Sequence, residues 1–125
     1  MIKKEIRAPG FVVYEDGGYD RELAKDSVGK GWSTLIDAIF DKRDELKIDT
    51  KIVQVKEKYG GLRVYTGAFY DDAAYDEFDK FLIEIEKQSY TICEDCGNAG
   101  QLREGRWYRT LCDEHATGRK AIQPF

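Results

Sequence analysis

At 125 residues, with 42% hydrophobic, 13% aromatic and 35% charged side chains, the chain holds enough for one folded domain and too many aromatics for a disordered segment. Its formal net charge of −4 excludes the broad basic footprint of a general nucleic-acid binder: residues 1–92 carry 15 Lys and Arg against 19 Asp and Glu, and residues 93–125 carry five of each. No apolar run reaches the length of a membrane span, and Met1-Ile2-Lys3-Lys4-Glu5-Ile6 lacks the apolar stretch of a secretory signal, so a reducing cytoplasm is expected.

Residues 2–14 hold Ile2, Ile6, Phe11, Val12, Val13 and Tyr14, interrupted by Pro9-Gly10, which predicts one or two short strands with a turn or bulge between them. From Glu15 to Gly31 the chain is polar and carries Gly17, Gly18, Gly29 and Gly31, the composition of a long loop with at most a helical turn near Arg21–Lys25. Loops of this length inside a compact domain are commonly functional or mobile.

Trp32, Leu35, Ile36, Ile39, Phe40 and Leu46 then recur at helical spacing, opposite Asp37, Asp41, Lys42, Asp44 and Glu45. Either Ser33 or Gly31 could cap this helix. Two β-rich runs over 50–67 flank Gly60-Gly61, the composition of a two-residue hairpin turn. With the turn centred there, Tyr59 opposes Leu62, Glu57 opposes Val64 and Val55 opposes Thr66. Alternation puts Val53, Val55, Tyr59, Leu62 and Val64 on a core face, and Ile52, Gln54, Lys56, Lys58, Arg63 and Tyr65 on the other. Asp71-Asp72 precede a second helix, whose acids at 71, 72, 76 and 77 suit its positive end. Its stripe is Tyr75, Phe78, Leu82 and Ile85, with Ala74 and Phe81 alongside, and it runs to about Ser89.

No linker separates that helix from Cys93-Glu94-Asp95-Cys96, and fifteen residues later comes Cys112-Asp113-Glu114-His115. These two pairs use every cysteine and the one histidine of the chain. Three thiolates and an imidazole, in pairs with two residues inside each, are the donor set of a tetrahedral Zn²⁺. Gly97, free to take positive φ, lets the first pair turn back on itself. Four protein donors leave no open position for an activated water, so the zinc is read as structural. No Cys or His remains for a thiol nucleophile or a histidine base. Between the pairs, Gln101–Glu104 and Arg106–Leu111 read as short strands around Gly105. A short helix starting near Asp113 would give a treble clef; two knuckles would give a zinc ribbon. The expected architecture is α+β: N-terminal strands, helix, β-hairpin, helix over residues 1–92, then a zinc module over 93–125 packed on the second helix.

Three segments, Gly31-Trp32-Ser33-Thr34-Leu35-Ile36, Val55-Lys56-Glu57-Lys58-Tyr59-Gly60-Gly61-Leu62-Arg63-Val64-Tyr65 and the zinc block with Leu111-Cys112-Asp113-Glu114-His115, resemble in content and order a group of small proteins encoded by bacteriophages and prophages. The resemblance covers about residues 30–116. It implies a setting, the cytoplasm of an infected bacterium, and the accessory role common among small phage proteins, that of binding host or defence components.

Three functions compete on these residues. The first is a non-enzymatic protein that binds a host or defence protein, or a small anionic, nucleotide-like ligand, through Lys56, Lys58, Arg63 and Tyr65. There a glycine turn could present amides to phosphate and Arg63 could grip it in bidentate fashion. The bland alternative is a solvated, aggregation-resistant strand edge. The second is nucleic-acid binding through Arg103, Arg106, Trp107 and Arg109 of the zinc module, with Tyr108, Arg119 and Lys120 nearby, against which stand five acids in the same segment. Packing of a small hairpin is the competing explanation for Trp107 and Tyr108. The third, an enzyme built on Glu57 or the acids of residues 15–26, lacks any pair of carboxylates at a defined separation.

Overall fold

The computed structural model describes residues 18–67 and 72–124, together with the backbone of 5–8 and 11–14. Among these, three short antiparallel hairpins and three helices follow one another in chain order. Strands β1 (Glu5–Ala8) and β2 (Phe11–Tyr14) pair with Ile6 opposite Val13, so the N-terminal apolar run forms two strands. The break at Pro9-Gly10 lies outside the described residues.

The expected loop is partly ordered. Asp20 accepts from Leu23 N and caps a short helix α1 (Arg21–Asp26). Arg21 reaches Asp37 and Asp41, both at 2.8 Å, and Lys25 reaches Asp37 at 2.9 Å, pinning α1 to the polar side of α2 (Ser33–Leu46). Neither Ser33 nor Gly31 caps α2. The chain enters it through a 3₁₀ turn over Lys30–Trp32, with Trp32 at the cap position and no side-chain cap bond. Sequence could not decide this because the Gly31 amide is spent elsewhere, on a carbonyl of the C-terminal segment.

Strands β3 (Ile52–Lys58) and β4 (Gly61–Thr66) form the central hairpin, but its turn is Tyr59-Gly60 and not Gly60-Gly61. Lys58 opposes Gly61, Glu57 opposes Leu62, Lys56 opposes Arg63 and Val55 opposes Val64, so moving the turn by one residue shifts every cross-strand partner by two from the expected register. Tyr59 (φ 54°) and Gly60 (φ 81°) are both left-handed, as a two-residue hairpin turn of this hand requires. The Glu57 carboxylate accepts the Gly60 amide at 2.7 Å and braces the turn. Gly61 packs against the outer end of the Tyr90 ring, which would have to shift to admit a Cβ there. Tyr59 is therefore 55% exposed and not core. A bulge between Ile52 and Gln54 reverses the expected faces at the strand's start, burying Ile52 completely and leaving Val53 half-buried.

Helix α3 (Ala73–Ser89) begins at Asp72, whose carboxylate accepts from Ala74 N and Tyr75 N; Asp71 lies outside the described residues. Trp32, Ile36 and Ile39 meet Ile52, Val55 and Leu62 of the hairpin and Phe78 and Ile85 of α3 in one apolar cluster, all at most 3% exposed. Each such side chain contributes about 1.5–3 kcal/mol by leaving water. Beyond α3, β5 (Gln101–Arg103) and β6 (Arg109–Leu111) form the third hairpin.

Candidate metal centre

The chain passes from α3 into the first Cys pair by local backbone bonds. Thr91 N donates to Gln88 O at 2.9 Å, and Ile92 bridges Ala99 across the loop that carries Cys93 and Cys96. Cys93 N donates to Asn98 O and Gly97 N to Cys93 O, each at 2.8 Å, and Gly97 takes φ +85° to close this knuckle. Antiparallel β5 and β6 return the chain so that Cys112 leaves β6 beside the first pair. His115 N then donates to Cys112 O at 3.2 Å. Residues 113–115 form a turn, and left-handed Thr117 and Gly118 follow, so the helix expected to start near Asp113 is absent.

One atom from each of Cys93, Cys96, Cys112 and His115 lies within 4.8 Å of all the others. The Cys96 and Cys112 sulfurs are 3.7 Å apart, and His115 Nδ1 is 3.8 Å from the Cys93 sulfur and 3.1 Å from that of Cys112. Zinc–sulfur bonds of about 2.3 Å and zinc–nitrogen bonds of about 2.0 Å imply tetrahedral edges of about 3.5–3.8 Å. Two of these separations match that cage and the third is slightly tighter, so the four clustered donors make a plausible zinc site.

The electrostatics of the cluster also call for a cation. Burial pushes the Cys93 thiol up, but backbone N–H groups of Cys112, Cys96 and Asp95 aimed at its sulfur outweigh this and bring it down to about 7. Cys96 moves the other way. The Asn98 amide favours its thiolate, yet burial and the Cys93 and Cys112 sulfurs together push it up. The Cys112 sulfur raises the His115 imidazole, against the effect of burial. The Cys93 thiolate disfavours ionisation of Cys96, a conflict that a divalent cation would remove.

A polar frame that the sequence reading missed holds this cluster. Glu94, 5% exposed, accepts from Arg109 Nε and Nη2 through one oxygen, at 3.2 and 3.1 Å, and from Thr110 N through the other, at 3.0 Å. Burial raises the Glu94 carboxyl in spite of these donors. Arg109 Nη2 also reaches Asp95 at 2.7 Å. Arg103 is buried, and donates to Leu111 O at 3.2 Å, Arg119 O at 3.4 Å and Asp113 at 2.8 Å. The signal available in sequence was the placement of two acids between the first two ligands and of arginines on strands that must pass them.

The motifs of the three recognisable segments converge on this frame. Gly31 N donates to Glu94 O at 2.9 Å, and a Cβ on Gly31 would strike Cys93 O. Trp32 Nε1 donates to Ile92 O at 2.8 Å. At the hairpin turn, Thr110 Oγ1 donates to Gly60 O at 2.6 Å, a Cβ on Gly60 would strike Leu102, and Tyr59 meets Tyr108 edge-on with centroids 6.3 Å apart. Ser89 Oγ accepts from Leu62 N at 2.9 Å.

Of the residues proposed for an anionic ligand, Lys56, Lys58, Arg63 and Tyr65 share one face of the β3–β4 hairpin. Arg63 leans on α3, 3.6 Å from Glu86 and 3.3 Å from the Tyr90 hydroxyl. Lys56 lies over the Tyr65 ring at 5.9 Å and Lys58 over Tyr59 at 5.7 Å. Of the residues proposed for nucleic acid, Arg103 and Arg109 are held within the polar frame, whereas Arg106 and Trp107 are exposed. Arg119 stacks on the Trp107 ring at 5.5 Å. Among the acids proposed for catalysis, Glu57 braces the turn and Asp20 caps α1, while Glu15 and Asp16 lie outside the described residues. No helix among the described residues is long and apolar enough to cross a membrane. Comparison with family models, curated proteins and solved structures finds no match for this chain.

Proposed function

We infer that this is a non-enzymatic binding protein of the phage accessory type, built around one structural zinc per chain, and that its partner is a protein of the bacterial host or its defences. The centre is best read as a two-knuckle, ribbon-like site, because a turn and not a helix carries Cys112 and His115. With four protein donors, zinc there has no position for substrate or activated water.

The observation that carries the choice of partner is where the cationic groups are spent. The Gly60 amide, which a phosphate would need, is occupied by Glu57, and Arg63 is drawn towards Glu86 and Tyr90. Arg103 and Arg109 are engaged with Asp113, Glu94 and Asp95. The nucleic-acid reading loses its best bidentate groups in this way, and the small-anion reading loses the turn amide and shares Arg63 with α3, although the buried Arg63 Nε has no hydrogen-bond partner. Among the described residues, exposed Tyr59, Tyr65 and Trp107 each carry a cation over the ring, a combination that suits a protein interface.

Purification of the tagged, zinc-loaded chain from phage-infected bacteria tests this reading. The expected result is a stoichiometric protein partner that survives nuclease and high salt. A complex that dissolves on nuclease treatment would establish the nucleic-acid reading instead, and a nucleotide released on denaturation would establish the small-anion one.

A further inference from the structure

Two aromatics near the junction of the central hairpin and the zinc segment, Tyr59 and Trp107, keep more than half of their surface exposed while also packing within the fold. Tyr59 occupies the first left-handed position of its turn at φ 54° while 55% exposed. A bulky side chain is strained at positive φ, and Gly or Asn would hold the same turn without that strain. Strain kept at an exposed position points to use of the side chain. Trp107, 56% exposed, is fixed from below: Arg119 donates to its carbonyl at 2.6 Å and lies flat over its indole at 5.5 Å. Gly105 permits this arrangement, since a Cβ there would strike the Arg119 guanidinium. Tyr108 links the two aromatics, adjacent to Trp107 in the chain and edge-on to Tyr59.

We propose that this strip, Tyr59, Tyr108 and Trp107 flanked by Lys58 and Arg119, is the docking surface for an acidic segment of the protein partner. The proposal rests on the protein-binding reading above and gives that reading a place. Charge selects the occupant. Lys58 stands over the Tyr59 ring at one end and Arg119 over Trp107 at the other, with Arg106 and Lys120 near the second end, in a chain that is otherwise acidic. The acids beside them are Glu104, whose amide pairs with Lys120 O, and Glu57, whose carboxylate is turned to the Gly60 amide. Rigid Trp, Tyr and Arg side chains are the residue types that dominate interface energetics, because they bury much area at low entropic cost. Isolated cations at the two ends suit carboxylates on a peptide better than the regular phosphates of a nucleic-acid strand, which need a continuous basic track.

The test is selection of a random-peptide library on the zinc-loaded full chain, followed by calorimetry of the selected peptides on variants. Enrichment of peptides bearing Asp and Glu is expected, with binding at least about tenfold weaker to Trp107→Ala and Tyr59→Gly, and unchanged for Ile83→Ala on the outer side of α3. Thermal unfolding separates docking from mere packing, because glycine relieves the strain at position 59. Tyr59→Gly is therefore expected to unfold no lower than the wild-type chain while losing peptide. A lowered unfolding temperature with affinity retained would overturn the proposal. Selected peptides without acidic bias, or ones that bind Trp107→Ala and Tyr59→Gly as they bind wild type, would also overturn this surface while leaving a protein partner in place. If no peptide is enriched and a single-stranded oligonucleotide binds in a Trp107-dependent way, both this surface and the protein-binding reading fall.

Discussion

Trp32 and Glu94 are both almost completely buried, and their surroundings have little in common. Around Trp32 lie Ile36, Ile39, Phe78 and Leu62, so burial of apolar area dominates its surroundings, with one hydrogen bond from its indole to Ile92 O. Around Glu94 lie Arg109, Thr110 and a cluster of sulfurs, and the apolar content of that region is little more than Leu102, Leu111 and the cysteines themselves. One part of the chain is ordered by removing carbon from water. The other is too small for that, and is held by the Cys93, Cys96, Cys112 and His115 cluster and by charged groups satisfied one bond at a time. Loss of a single partner should therefore be graded in the first region and abrupt in the second.

Removing the metal should give the largest effect. Chelation, or Cys112→Ser, is expected to melt residues 93–124 while α2 and the β3–β4 hairpin stay folded, with a loss on the order of 10 kcal/mol from the zinc site. Hydrogen exchange read segment by segment, beside elemental analysis giving one zinc per chain, checks both halves of that statement. Melting of the whole chain together would erase the contrast drawn above. Trp32→Ala should come next, costing about 3–5 kcal/mol by denaturant titration. A variant that kept its stability would show that Trp32 is not a core anchor.

Glu94→Ala sharpens the comparison on the other side. It strands the Thr110 amide and leaves Arg109 with Asp95 only, for an expected loss of about 1–3 kcal/mol and weaker zinc retention against a competing chelator. The smallest effect should be that of pH near neutrality. The fold holds the Cys93 thiol at about 7, below its ordinary value, so its contribution is complete above the ordinary thiol range and is lost as pH falls through about 7. Zinc affinity measured by chelator competition should decline over that interval, whereas unfolding of the β3–β4 hairpin should not follow it.

The features legible in the sequence are those decided locally. Ligand spacing, the stripes of α2 and α3 and the Asp72 cap each depend on residues a few positions apart. Failures came where a distant residue decides. Gly60-Gly61 looks like the centre of a turn, but the second glycine pairs with Lys58 and packs against the distant Tyr90, so the turn sits at Tyr59-Gly60 and the register shifts with it. Arg103 and Arg109 read as surface cations because charged side chains usually are; only the return of β6 past Glu94, and of the tail past Arg103, turns them inward. Asp113-Glu114 would suit a helix N-terminus, yet the left-handed Thr117 and Gly118 end the segment before a helix can form.

The bond from Trp32 Nε1 to Ile92 O spans sixty residues and also implies an order of events. As the polypeptide leaves the ribosome, the indole N–H and the Gly31 amide emerge well before their acceptors, Ile92 O and Glu94 O, have been made. Closing that long loop is slow, and until it closes these donors have only water. Closure of that loop would then end maturation, and a chain arrested before it would show a tryptophan emission that has not yet reached that of the finished protein.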